Sequence, residues 1–217
     1  MKKKIINKRL FIAIASLFSV FLIVIVIGVV YEVHIRSKYY GANTDTYRPD
    51  YTTITYAPVD FEEDIFLNVE YMEKNRAIKY ITGPQSTEYP IEYALQSNDT
   101  GLLFFAQYFQ SIIHGEYQKH SDFYWDQYFE DKRSFELPTE PFTMQKIHNI
   151  SVDYRRANTV IESDGSQKTY YIVRYMIFQN NGTFRRDLAE NTTVPMLVEL
   201  TTKGNVTRIS KMFPYSG

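Results

Sequence analysis

Four side chains between positions 114 and 126 are of the types that move protons: His114, His120, Asp122 and Asp126. An imidazole works as a general base only where it reaches a substrate proton inside a pocket of suitable polarity. His114 comes two residues after Ile112 at the close of an aromatic helical pattern, where a cationic side chain is favoured by the helix C-terminus. His120 and Asp122 flank the next helix start, and a solvated loop is expected there, because neither has a convergent partner in sequence. Metal chemistry has less to work with. The chain has no Cys and four His, at 34, 114, 120 and 148, and no pair stands at the i, i+4 or short-loop spacing of a ligand set. There is no Gly-rich phosphate loop. No catalytic residue, cofactor or metal is therefore expected, and the chain reads as a non-enzyme.

The residues left for recognition are aromatic or basic. Phe105, Tyr108, Phe109, Tyr124 and Trp125 fall at helical spacing, which makes them core, or the lining of a small apolar pocket. Arg155 with Arg156 and Arg185 with Arg186 are the basic couplets of the strand-rich half. They are solvated strand ends on the plainer reading and partner contacts on the functional one. Five N-x-S/T sequons, at Asn98, Asn149, Asn181, Asn191 and Asn205, are motifs short enough to recur freely in a chain rich in Asn and Thr.

These residues must be positioned by elements, and the first is the most conspicuous. From Leu10 to Tyr31 no residue is charged, a run of about 22 positions that as a helix reaches about 33 Å, enough for a hydrocarbon core. It is longer than the apolar part of a signal peptide and ends on bulky Val30, Tyr31 and Val33 in place of a cleavage site. A single uncleaved transmembrane helix over 10–31 is expected. Lys2, Lys3, Lys4, Lys8 and Arg9 precede it without an acid, which predicts a cytoplasmic stub over 1–9 and an extracellular remainder in the cell membrane. Removing those five from 24 Lys+Arg leaves 19 against 25 Asp+Glu, so the remainder carries about −6 and lacks the basic field of a nucleic-acid binder. With 19 Tyr and 15 Phe in the whole chain, most of them after residue 31, the remainder has the makings of a packed domain. A chain rich in Lys, Ile, Asn and Tyr without Cys has the composition of a bacterial surface protein.

Residues 32–59 have no sustained period and read as a stalk, with a short strand in "YTTITY". In 60–97, a helical and connector segment, Phe61, Ile65, Val69 and Met72 predict one amphipathic helix stopped at Gly83-Pro84, and "QSTEYPIEYALQS" a connector. Residues 98–217 form the main domain. A helix capped by Asn98, Asp99 or Thr100 carries Phe105, Tyr108, Phe109 and Ile112 on one face until Gly115, and a shorter one begins at Ser121. The texture then turns to strands in "MQKIHNISVDYRR", "KTYYIVRYMIFQ", "VPMLVELT" and "VTRISKMF", separated by Asp164-Gly165, Asn181-Gly182 and Lys203-Gly204-Asn205. The expected class is α+β: helices packed on a bent antiparallel sheet of four to five strands.

This order, carried by "LLFFAQYFQSIIHGEYQKHSDFYWDQYFED" and the strands of 142–213, resembles the cone-shaped nuclear transport factor two-like fold. With stub, span and stalk, the layout is similar to the bitopic scaffold subunits of type IV secretion and conjugation machines. The resemblance implies a domain without catalysis that forms homo-oligomers and contacts other channel or envelope proteins. It also implies an alternative, because catalytic members of the fold place a His with an Asp inside the cone, and an unfilled cone would make a sensor for a small apolar ligand. A scaffold predicts a filled interior and an exposed apolar or basic patch; a binder predicts a cavity lined by residues such as Tyr108, Tyr124 and Trp125.

Overall fold

The computed structural model describes residues 54–215 apart from 132, 156 and 157. Among the described residues, seven strands make one mixed sheet: β1 (Ile78–Thr82), β2 (Gln85–Tyr89), β3 (Ile147–Tyr154), β4 (Val160–Ile161), β5 (Gln167–Ile177), β6 (Met196–Lys203) and β7 (Val206–Pro214). Their order is β2-β1-β3-β5-β6-β7, with β4 beside β5. The class is α+β, but the expected antiparallel sheet of four to five strands is corrected in number and direction. β1 runs parallel to β3, from Ile78 opposite Ile150 to Thr82 opposite Tyr154, and the other pairs are antiparallel.

The strands β3, β5, β6 and β7 form where β-branched and aromatic residues are densest. On β5 the residues Tyr171, Val173, Tyr175 and Ile177 all face the main core. Gly204 closes the β6–β7 hairpin at φ +59°, and Asp164 ties the β4–β5 turn by accepting from the Ser166 amide and hydroxyl at 2.9 and 2.6 Å. Asn181-Gly182 does not close a hairpin. It sits inside the long loop 178–195 between β5 and β6, where the Asn180 amide donates to the carbonyls of Arg185 and Leu188 at 2.8 and 2.7 Å.

The strands β1 and β2 lie where a helix and a connector are expected. The apolar spacing of residues 60–82 fits a helix, but four side chains compete for the backbone. Asp60, Asp64, Asn68 and Asn75 accept the amides of Glu62, Phe66, Tyr71 and Ala77 at 2.9 to 3.0 Å. The Asp60 and Asn75 bonds close local turns, while Asp64 and Asn68 cap fresh helical starts, so no single ladder runs through the segment. The segment is cut into a 3-10 turn at Ile65–Leu67 and a one-turn helix α1 (Val69–Met72), and "IKYIT" then extends as β1. Gly83, at φ +61°, is the first residue of a two-residue hairpin loop to β2 and not a helix stop. A short helix α2 (Ile91–Ala94) follows. Residues 54–56 of "YTTITY" form no strand.

The long helix α3 (Thr100–Ile113) is capped by Asp99, which accepts the Leu102 amide at 2.8 Å and the Tyr80 hydroxyl at 2.9 Å. It comes so close to the sheet at Gly101 that a Cβ there would collide with the Tyr171 hydroxyl. After Gly115 (φ +66°) come α4 (Tyr117–His120), a 3-10 turn at Ser121–Phe123 and α5 (Asp126–Glu130). Backbone bonding from Trp125 to Ile209 at 2.9 Å fastens this tail to β7.

Among the described residues no helix is long and apolar enough to cross a membrane. The expected span over 10–31, its flanking Lys2, Lys3, Lys4, Lys8 and Arg9, and residues 32–53 of the stalk lie outside the described residues. The expectation of a single-pass cell-membrane protein is corrected accordingly: the described fold is a sheet with helices none of which is long and apolar enough to span a bilayer.

Candidate functional site

Four of the five aromatics singled out in the sequence fill the interior. Phe105, Tyr108, Phe109 and Tyr124 are each at most 4 % exposed. Phe105 meets Tyr171 edge-on with centroids 5.0 Å apart, and Phe109 meets Tyr175 at 5.4 Å. Trp125 instead stands half-buried at the surface. Its indole N–H donates to the Thr201 carbonyl at 2.9 Å, and Lys203 and Arg208 lie over its ring at 5.1 and 5.2 Å.

His120 is not in a solvated loop. It is 3 % exposed and boxed by Phe123, Phe142 and Phe184, with Nε2 3.2 Å from the Tyr124 hydroxyl and Nδ1 without a partner. Burial pushes its pKa down to about 4, so the ring is neutral near pH 7. The Tyr124 and Tyr108 hydroxyls, 3.0 Å apart, are pushed up by the same burial. Asp122 and Asp126 are exposed on the far side of the turn and neither bonds to an imidazole among the described residues.

The basic couplets separate. Arg185 is buried at 2 % exposure, holding Asp187 bidentately at 2.5 Å and donating to the Tyr175 hydroxyl at 2.7 Å, with Phe135 stacked 4.4 Å away. Its charge is spent inside the chain. Arg186 is exposed, Arg155 is half-buried and paired with Asp153 at 3.1 Å, and Arg156 lies outside the described residues.

The surface features that remain cluster around residues 59–77. A groove of about 280 Å³ opens between α1, α2 and the end of α3. Phe66, Pro90 and Ile91 give it apolar walls, while Lys74, Arg76 and His114 bring three nitrogen-bearing side chains to it. Lys74 leans on the Phe178 ring at 4.8 Å and Arg76 on the Tyr71 ring at 5.7 Å. Neither forms an ion pair among the described residues. Burial pushes the Tyr71 hydroxyl up to about 12 although Arg76 pulls it the other way. His114 caps α3 and packs on Phe66 at 5.4 Å, and among the described residues neither of its ring nitrogens has a hydrogen-bond partner. It thus lacks the orienting group a general base needs.

In the segment 59–72, large apolar side chains stand in solvent: Val59 at 50 % exposure, Phe61 at 62 %, Leu67 at 79 %, Val69 at 72 % and Met72 at 41 %. A second cavity, about 320 Å³, is polar, with Asp60, Glu63, Lys146, Gln179 and Asn181 among its lining, and Lys146 is paired with Glu63 at 2.5 Å. Among the described residues no group of three His, Asp or Glu is placed to hold a metal ion. The groove residues were not legible beforehand, since Lys74 with Arg76, Ile91 and His114 come from three separate segments. The one local signal was "KNR" (74–76), a basic pair beside a turn-forming Asn. Comparison of the chain with models of known families, with characterised proteins and with solved structures finds no match in any of the three.

Proposed function

We propose that this chain is a non-enzymatic assembly module, whose domain binds protein partners through the face built by residues 59–77 and 90–91. The observation that carries the reading is a contrast. Phe105, Tyr108, Phe109 and Tyr124 are buried, and among the described residues neither the groove nor the second cavity is lined by them or by Trp125, while five large apolar side chains stand exposed within 59–72. Exposed apolar side chains, and cations without an ion pair among the described residues, are what an interface core and rim use. A scaffold role of the kind found in secretion and conjugation machines is the finer form of this proposal, and it rests on the resemblance of element order.

The test is site-specific photo-crosslinking in cells making the full-length chain, with the photoreactive residue at Leu67 and, as control, at exposed Asn205 in the β6–β7 turn. The reading expects a discrete protein adduct of fixed stoichiometry at position 67 that Val69→Asp abolishes. Adducts at 67 no different from those at 205 would overturn it.

A further inference from the structure

The groove and the exposed arm 59–64 have opposite character. The groove offers apolar walls and the cations Lys74 and Arg76, which form no ion pair among the described residues, against a single lining carboxylate, Glu92. The arm, "VDFEED" (59–64), offers exposed Val59 and Phe61 among four acids. Three of those carboxylates already have work: Asp60 and Asp64 accept backbone amides, and Glu63 holds Lys146. Glu62 is exposed, and its carboxylate makes no hydrogen bond or ion pair among the described residues, its amide alone being tied to Asp60. Phe61 next to Glu62 therefore forms an apolar knob with a free negative charge, the complement of an apolar slot with free positive charges.

The arm does not serve its own groove. Its start is tied down by the Ala57 amide, which donates to the Asn180 carbonyl at 2.8 Å, and its end by Glu63 on Lys146. Ala57, Pro58, Asp60 and Glu63 line the second cavity, a different site from the groove. We propose that the arm of one copy seats in the groove of a second copy, Phe61 entering between Phe66 and Ile91 and Glu62 meeting Lys74 and Arg76. Two different patches then meet, so the contact is heterologous. It passes from copy to copy head to tail, closing into a ring or running on as a filament. This deepens the assembly reading and rests on it, naming this chain itself as the partner.

The test is sedimentation velocity on full-length protein, all variants in one buffer. An arm variant (Phe61→Ser with Glu62→Lys) and a groove variant (Lys74→Ala with Arg76→Ala) are each expected to associate more than tenfold more weakly than the parent. Mixed, they should form a 1:1 heterodimer and nothing larger, because one sound arm and one sound groove remain. Glu62→Lys alone touches no packed residue and guards against a folding defect; adding Arg76→Glu to it in the same chain should restore association. Variants that associate like the parent, or a mixture without heterodimer, would overturn the arm-in-groove contact and leave assembly through another surface standing. A parent that stays monomeric would also overturn it. The broader reading then survives only if position 67 crosslinks to a different protein.

Discussion

Acidifying this protein from pH 7 to pH 5 should remove about 2 kcal/mol of stability through one side chain, His120. Burial among Phe123, Phe142 and Phe184 lowers its pKa from 6.5 to about 4. Between those values the unfolded chain binds a proton that the folded chain refuses, so stability rises with pH across the window. The contribution is complete above pH 6.5 and is lost as the pH falls toward 4, where the whole gap is worth roughly 3 kcal/mol. At pH 5 most of that loss is already expressed. The assay is urea denaturation of the parent and His120→Phe at pH 7 and pH 5. Phenylalanine keeps a ring in the box and gives up the bond to Tyr124, a loss of about 1 kcal/mol that does not change with pH. Carboxylates and His148 titrate in both proteins and cancel in the difference. The parent should lose about 2 kcal/mol more than the variant between the two pH values. Equal losses, or an NMR midpoint for His120 above 6, would refute the argument that desolvation governs this ring.

Gly101→Ala sets two effects against each other: helix propensity gains up to about 1 kcal/mol, while a methyl against the packed Tyr171 ring costs about 1 to 3 kcal/mol. Net destabilisation is expected in thermal melts, with Tyr171→Phe in the same chain recovering part of it by removing the colliding hydroxyl. Asp187→Asn strands a buried guanidinium and should lower stability by about 3 to 5 kcal/mol, whereas Arg185→Met with Asp187→Leu should recover most of the loss in the same chemical melts. Phe105→Ala, in the interior beside Tyr171, should cost about 3 to 5 kcal/mol, and Phe61→Ala on the arm less than about 0.5 kcal/mol, a contrast that urea titration reads directly.

The parts of the fold that announce themselves are those whose order is set by neighbours in sequence. Asp99 followed by Phe105, Phe109 and Ile112 encodes α3 through a cap and a 3.6-residue stripe, and the runs around Ile172 and Val198 encode strands by density of branched and aromatic side chains. Residues 60–89 mislead for a definite reason. Their apolar positions keep a helical period, but the backbone is diverted by Asp60, Asp64, Asn68 and Asn75, and spacing alone does not tell a helical acid from a turn-forming one. The strand β2 is nearly all exposed, so it lacks the alternation that marks a half-buried strand. The partner of β1 is β3, which no local rule connects to it. His120 was hidden in another way: its neighbours Phe142 and Phe184 arrive from other elements, and a buried imidazole without a carboxylate looks in sequence like any loop histidine. The groove failed to show itself because it is an intersection of segments and not a motif.

The parallel pairing of β1 with β3 also sets an order of events in time. Closing the chain from Thr82 to Ile147 precedes any reward from that ladder, and contacts so distant in sequence form slowly. The helix α3 and the β5–β6–β7 meander have no such wait, since their contacts are local. The groove depends on the late step: Tyr71, Lys74 and Arg76 precede β1 and Pro90 follows β2, so they meet the end of α3 only after the hairpin has docked. A newly made copy has no receptor for another copy's arm until residues 147–154 have emerged and paired. The proposed self-association would thereby be restricted to finished molecules, and pulse-labelled hydrogen exchange at the Ile78–Thr82 amides reads that timing.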